Sequence, residues 1–472
     1  MATVAERYKV AEAALEEAAK PRGKERQQLG EVFTSAALVN EMLDRLPAAV
    51  WRNPKLRFLD PAAALGQFPL RCFWRLWAGL KGAVPDDERR ARHIVTKMLF
   101  LVDVNKESNA TSRRLLESLA PGAVANVGVV SKDGFLGQGA VLGFSSFDVI
   151  MGNPPYQFGR VKVARFTKKS RAAQESEGAA ATSEQGVWTR FVARALDLLK
   201  SDGFLLFVHP ITWFKNDRLG AHDMILRNQL LYLKVLRNFE ARKFFGGGFG
   251  IIHVAYYLLQ KRRPRVPTTI EYAGSDFKER MMLGPDSQLI LQYNGIYDKV
   301  RRQAGLLDQA TDLELRHRTL KSCSARGTHK LIRLISEDGS VKYVRSAEAH
   351  RNQSLPKLIV SGIHRPVLYF DKSGAYGLYA QGQRHYFVGS EEALDALAAT
   401  FRTRLMSLLL DHVKYEQDFI KPGLLPDLRG LPTTDAGLAR YFGFTAAERR
   451  AIAAARPAIS AGRAKLTDCP DT

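Results

Sequence analysis

Phe147-Asp148-Val149-Ile150-Met151-Gly152-Asn153-Pro154-Pro155-Tyr156 reads as a short apolar strand that ends in a rigid polar turn. Pro154 lacks a backbone donor and disfavours helix at Asn153, and Pro155 holds Pro154 extended in the same way. The Pro154 carbonyl then stands as an acceptor beside the side-chain oxygen of Asn153. Two acceptors aimed at one exocyclic NH2 group orient its lone pair toward an electrophile. Tyr156 offers a ring face for stacking on whatever ring carries that amine. The plainer reading of the same four residues is a Pro-rich turn closing an edge strand, and what surrounds them decides between the two.

Outward from this stretch, strands alternate with helices. Leu56 to Leu59 is a strand ending at Asp60-Pro61, with a helix over 67–80. Met98 to Val102 is a second strand, ending at Asp103, with a helix over 105–119. Val124 to Val130 is a third, ending near Asp133, and Phe147 to Met151 is the fourth. A helix from Trp188 to Leu199 stops at Ser201-Asp202-Gly203, and Phe204 to Val208 is a fifth strand. Tyr232–Phe239 and His253–Leu259 supply two more. Near-continuous apolar strands between amphipathic helices predict a parallel α/β sheet covered on both faces. Ligands in such sheets sit at the carboxyl ends of the strands. Asp60, Asp103, Asp133 and Asn153 all lie there, and their coincidence says more than any one of them.

The chain has 472 residues, 46% of them hydrophobic and 25% charged, which predicts two or three globular domains. Its net charge of +22 favours a polyanionic partner, most simply nucleic acid. Three cysteines, Cys72, Cys323 and Cys469, form no CxxC pair, so no cysteine zinc site is expected and a reducing cytosol fits. No run of about 18 apolar residues or signal-like N-terminus appears, which predicts a cytoplasmic protein without a membrane partner. Residues 1–28 read as a helix and a basic loop, and 29–265 as the α/β domain. Lys261-Arg262-Arg263-Pro264-Arg265-Val266-Pro267 reads as the boundary, with 266–472 a second, mixed α/β domain with a helical tail. Within that tail Thr445-Ala-Ala-Glu448 is a capping box, and one helix is expected over 391–413.

The strand ends carry the chemistry. In Asp60-Pro61-Ala62-Ala63-Ala64-Leu65-Gly66-Gln67-Phe68, small residues let backbone approach a ligand and open a helix whose N-terminus favours anionic groups. Read alone, it is equally a tight strand–helix turn packed with alanines. Asp103 is suited to accept both hydroxyls of a ribose; Asn105 can cap the next helix in its place. Asp133 in Asp133-Gly134-Phe135 can accept from an adenine amine while Phe135 packs on the ring, although Asp-Gly is also a common turn. With the Asn153 turn, these describe a pocket for an adenosine-containing cofactor beside one for an amine-bearing ring. No Gly-x-x-x-x-Gly-Lys pattern is present, which argues against a nucleoside triphosphate.

Together these motifs resemble those of the amino-group DNA methyltransferases that modify adenine N6 with S-adenosylmethionine, including the methylases of Eco57I-like restriction systems. The resemblance covers most of residues 29–260. Gly30 to Ser35 resembles the family's first cofactor segment, placing Thr34 at the cofactor, with Ser35 where the family has proline. Asp60 to Phe68 resembles its Asp-Pro-Ala-x-Gly-x-Gly-x-Phe loop, with Ala62 and Gly66 matching and Ala64 in place of the first glycine. Asp103, Asp133 and Phe135 match its ribose and adenine contacts. Asn153, Pro154, Pro155 and Tyr156 match its catalytic motif without departure, and Gly203 to Trp213 looks like the strand and turn that follow.

The resemblance implies a Rossmann-like methyltransferase sheet, S-adenosylmethionine as cofactor, double-stranded DNA as partner and flipping of the target adenine. It places an aromatic after the sixth strand, here Phe245 with Phe244 or Phe249 as alternatives, to sandwich the base against Tyr156; a buried core aromatic is the other reading of Phe245. It needs no metal. Arg160, Lys162, Lys168 and Lys169 follow the catalytic motif in a polar stretch, read either as a phosphate-contacting flap or as a solvated loop. Residues 270–430, with Gln381 to Phe387 and Tyr415 to Pro422, resemble a target recognition domain. Residues 1–28 are too few for a fused nuclease, so cleavage would need a separate restriction endonuclease. RNA, protein glutamine, or a binding homologue with impaired cofactor affinity stay open as alternatives.

Overall fold

The computed structural model describes residues 2–19, 34–129, 134–137, 139–156, 187–214, 220–245, 252–316, 327–335, 341–361, 367–379, 385–413, 421–455, 459–460 and 466–468. They fall into two compact units, Met1–Ser287 and Gln288–Thr472.

The first unit is built on one nine-stranded sheet. Its strands are β1 (Phe58–Asp60), β2 (Leu99–Asp103), β3 (Asn126–Val129), β4 (Phe147–Gly152), β5 (Leu199–Pro210), β6 (Gln229–Leu236), β7 (Val254–Gln260), β8 (Thr268–Tyr272) and β9 (Lys278–Met281). Their order is β3-β2-β1-β4-β5-β7-β6-β8-β9. From β1 the chain steps outward through β2 to β3, then returns to lay β4 on the other side of β1. The crevice between β1 and β4 is therefore the topological switch point, where open α/β sheets hold ligands. The pairing Phe58↔Val149 and Leu59↔Ile150 brings the carboxyl ends of β1 and β4 together, with the Asp60 carboxylate lying against Gly152.

The pairings of β3 with β2, β2 with β1, β1 with β4 and β4 with β5 are all parallel, as expected. Strand β7 differs: it runs antiparallel between β5 and β6, so the sheet is mixed. A strand buried on both faces is apolar whichever way it runs, and the row of apolar residues from Val254 onward holds no directional signal. The segment Lys261–Pro267 also differs from the expected boundary. It is a turn between β7 and β8, pinned where Lys261 N donates to Gly203 O (2.9 Å) and where Val266 N donates to the buried Gln229 Oε1 (2.9 Å). Strand β8 then pairs with β6, which carries the first unit on to Ser287.

Helix α1 (Val4–Ala19) is part of this unit as well. Val4, Tyr8, Ala11 and Leu15 recur on one stripe and enter the same core as α2 (Ala36–Leu43), α3 (Gln67–Gly79), α4 (Asp87–His93) and α5 (Lys106–Leu119). Successive side chains of β5 take opposite faces. Leu206 and Val208 join that core, while His209 meets Trp188 of the helix Val187–Leu198.

The second unit holds a five-stranded sheet, in the order β10-β16-β13-β14-β17, and a four-stranded one, β15-β11-β12-β18. These are β10 (Leu313–Arg316), β11 (His329–Ile335), β12 (Val341–Ser346), β13 (Lys357–Ser361), β14 (Val367–Asp371), β15 (Tyr376–Leu378), β16 (His385–Gly389), β17 (Ile459–Ser460) and β18 (Leu466–Asp468). Ile332, Val341, Ile359, Tyr376 and Tyr386, from both sheets, share one core. The expected helix over 391–413 is two, Glu391–Thr400 and Arg404–His412, because Thr403 Oγ1 accepts from Met406 N and starts a new helix. The Thr445–Glu448 capping box forms as expected.

Candidate active site

Three of the four expected strand-end groups are described, and the sheet brings them to one edge. Asp60 ends β1, Asp103 ends β2 and Asn153 follows β4. Asp133 lies outside the described residues.

Asp60 is 1% exposed. Its Oδ1 accepts from Ala62 N at 3.2 Å, so the carboxylate and the loop behind it hold each other. Burial, with Asp103 as an added negative neighbour, pushes its carboxyl up to about 8 despite that hydrogen bond. Asp103 Oδ2 accepts from Ala64 N at 2.9 Å and Oδ1 from Asn105 N at 2.8 Å. Asn105 itself caps α5 through its side chain, as the sequence indicated, and Asp103 instead anchors both the loop and the helix start.

The loop from Ala62 to Gly66 follows a path that needs positive φ twice, at Ala64 (+44°) and Gly66 (+89°). Ala64 thus takes the backbone conformation that the family's glycine adopts freely, at a cost of about 1–2 kcal/mol. Ser112 on α5 offsets part of this by donating Oγ–H to Ala64 O at 2.7 Å. Gly66 suits its φ of +89°, and a Cβ there would stand 3.2 Å from Ser112 Oγ, close enough that Ser112 would have to shift. Ser112 was not identified from sequence. Its signal is a stripe of small polar residues, Ser108, Asn109 and Ser112, all buried on α5. Asn109 donates Nδ2 to Asp103 O at 2.8 Å. Among the described residues Asn109 Oδ1 and Gln67 Nε2 are buried without a hydrogen-bond partner.

At the turn, Pro154 is buried, and Asn153, Pro155 and Tyr156 are half-buried. Asn153 donates Nδ2 to Thr34 Oγ1 at 3.0 Å, and Thr34 is 5% exposed. Thr34 therefore touches the Asn153–Tyr156 turn, a contact the sequence reading did not give it. The next residue, Ser35, donates its N–H to Phe244 O at 3.0 Å and caps α2 with its side chain. Proline, which the resemblance places there, lacks that N–H. Tyr156 packs against the α1–α5 core, and burial raises its phenol well above the usual range.

The two other expected aromatics are inside. Phe135 is 2% exposed, its ring 5.2 Å from that of Phe191. Phe245 is 7% exposed, at the end of the helix Asn238–Phe245. Phe244, beside it, is half-buried. Phe249 and the glycines at 246–248 lie outside the described residues, as do Arg160, Lys162, Lys168 and Lys169, Gln381 to Arg384, and Tyr415 to Ile420.

His209, in the Gly203–Trp213 segment, is fully buried and stacks on Trp188 at 4.1 Å. Its Nδ1 lies 3.0 Å from Pro210 O, which only accepts, so Nδ1 carries the proton and Nε2 accepts from Tyr257 OH. Burial depresses its pKa to about 3. It is a neutral residue of β5 with both nitrogens occupied.

The switch point between β1 and β4 and the acids at the strand ends define a Rossmann-like methyltransferase fold. Residues 97–245 match the family described as Eco57I restriction-modification methylase. From β2 through the Asn153 turn to Phe245, the resemblance to the N6-adenine restriction-modification methyltransferases therefore holds. An uncharacterized adenine-specific methylase of Mycoplasma pneumoniae (strain ATCC 29342 / M129 / Subtype 1) is 24% identical over 269 residues, covering 42% of this chain and 60% of its own length. The chain thus spans less than two thirds of that relative. The Type IIL restriction-modification enzyme MmeI, solved in complex with DNA, shares the fold with a TM-score of 0.53 at 10% identity, over 92% of this chain and 71% of that one. Among the described residues no helix is long and apolar enough to cross a membrane.

Proposed function

We propose that the chain transfers a methyl group from S-adenosylmethionine to the N6 amine of adenine in double-stranded DNA, in a restriction-modification setting or as a stand-alone modifier. The observation that carries this reading is the seating of the Asn153–Tyr156 turn beside the buried carboxyl of Asp60, at the switch point of the sheet.

The residues present fit the cofactor. Two carboxyls at neighbouring strand ends suit a ligand that brings positive charge: burial raises the Asp60 carboxyl to about 8, and a cation beside it would favour the ionised form. S-adenosylmethionine carries an ammonium and a sulfonium. Loop residues Ala62 to Gly66 would lie along it, with Asp60 and Asp103 as its acids and the Asp133–Phe135 segment toward its adenine. When bound, it supplies an electrophilic methyl group.

The chain's own residues then do the positioning. Asn153 Oδ1 and Pro154 O accept from N6 and fix the direction of its lone pair, and Tyr156 stacks on the flipped base. Phe244 or Phe245 forms the opposite wall. Arg160, Lys162, Lys168 and Lys169 contact phosphates, the net charge of +22 favours the approach of DNA, and the second unit reads the target sequence.

The test offers the purified full chain methyl-tritiated S-adenosylmethionine with duplex DNA, RNA and protein in parallel. Label in adenine N6 of DNA alone is the expected result. Label in RNA or protein alone, or cofactor binding with no transfer to any acceptor, contradicts it.

A further inference from the structure

We infer that Thr34 is a positioning residue that takes up Nδ2 of the Asn153 amide and so holds the side chain with Oδ1 toward the substrate. The inference rests on the proposed transfer to an amine. A primary amide has nearly the same shape when its oxygen and nitrogen are exchanged, so packing alone does not choose between the two orientations. Only one is productive. With Oδ1 forward, Asn153 accepts from N6; with Nδ2 forward, two donors meet.

Presenting Oδ1 turns Nδ2 back into the protein, where an unmade donor is costly. Thr34 Oγ1 meets Nδ2 there at 3.0 Å. The hydroxyl is in a residue only 5% exposed, so solvent does little to replace it. Its position is braced on two sides. Ser35 N–H is tied to Phe244 O at 3.0 Å, and Ser35 Oγ accepts from Leu38 N to begin α2, whose Leu38, Val39, Met42 and Leu43 are buried. The Thr34-Ser35 pair thus links the catalytic turn to the helix that ends in Phe244 and Phe245. Serine at 35, in place of proline, supplies the N–H that makes this link.

Thr34→Val keeps the shape and removes the acceptor. Nδ2 is then satisfied only by turning outward, which presents the wrong end of the amide to N6. The expected result is a fall in kcat of about 10- to 100-fold, with cofactor Kd within about threefold of wild type and most of the rate restored by Thr34→Ser. A cofactor Kd raised tenfold or more with kcat unchanged would make Thr34 a cofactor contact only and overturn the inference.

A second readout does not depend on turnover. The Asn153 side-chain NH2 signals, assigned by their loss in Asn153→Ala, are followed by NMR in the ligand-free chain. Faster NH2 exchange with solvent in Thr34→Val, reversed in Thr34→Ser, supports the inference. Unchanged exchange overturns it, even if the chain methylates DNA. Altered exchange in a chain that methylates nothing leaves Thr34 orienting Asn153 and removes the proposed reaction instead.

Discussion

Gly152 lies against the carboxylate of Asp60: a Cβ built on Gly152 would stand 2.8 Å from Asp60 Oδ1, and the glycine holds φ at +153°. The last residue of β4 is thus shaped around the acid that ends β1, and the Asn153–Tyr156 turn begins one residue later. Gly152→Ala meets both a contact too short to keep and a backbone conformation disfavoured for alanine. It should destabilise the ligand-free chain by about 1–3 kcal/mol and weaken cofactor binding. Thermal melts and calorimetry check this; a variant within about 0.5 kcal/mol of wild type would show that the junction gives way easily.

Asp60 should make the ligand-free chain less stable as pH rises. Its carboxyl titrates near 3.8 in an ordinary setting and at about 8 when folded. The stabilisation it contributes is complete below about pH 4 and is lost progressively up to about pH 8, because across that window only the folded form keeps the proton. The Tm of wild type should therefore fall relative to that of Asp60→Asn between pH 5 and 8.5. Parallel profiles would contradict the burial argument. The same substitution should abolish cofactor binding, since a neutral amide cannot ionise to meet a cation.

Ala64 holds a conformation that glycine adopts without strain. Ala64→Gly relieves about 1–2 kcal/mol of backbone strain and returns about 0.4–1 kcal/mol through the freer unfolded chain. The net expectation is a gain of up to about 1.6 kcal/mol, with cofactor affinity kept or improved. A clear loss of stability would mean that the Ala64 methyl packs usefully.

In the second unit, Lys357 and Asp371 form a fully buried ion pair at 2.9 Å across β13 and β14. Asp371 also accepts from Ala375 N and Tyr376 N, which closes the turn into β15. Lys357→Met strands the carboxylate and should cost that unit about 3–5 kcal/mol. Lys357→Met with Asp371→Asn should recover part of it. Calorimetric melts of both variants test the pairing.

The Asn153–Tyr156 turn was legible because two consecutive prolines leave the backbone little choice, and the acids because Asp60 and Asp103 close apolar strands. The direction of β7 was not legible, since a strand buried on both faces has no polar side to orient it. The extent of the first unit was hidden by Pro264 and Pro267, which resemble a linker until Gln229, distant in sequence, is seen to bind Arg265 N and Val266 N. Ser112 and Gly152 escaped notice for the same reason: each matters through a residue distant in sequence, Ala64 and Asp60 respectively.

The most direct test of the central claim is to express the chain in a host lacking adenine methylation and map modified bases by single-molecule sequencing, with Asn153→Ala beside it. N6-methyladenine is expected at one recurring motif in the wild type and at none in the variant. Unmodified DNA from cells holding folded, cofactor-binding protein would contradict it, as would equal modification by the Asn153→Ala chain.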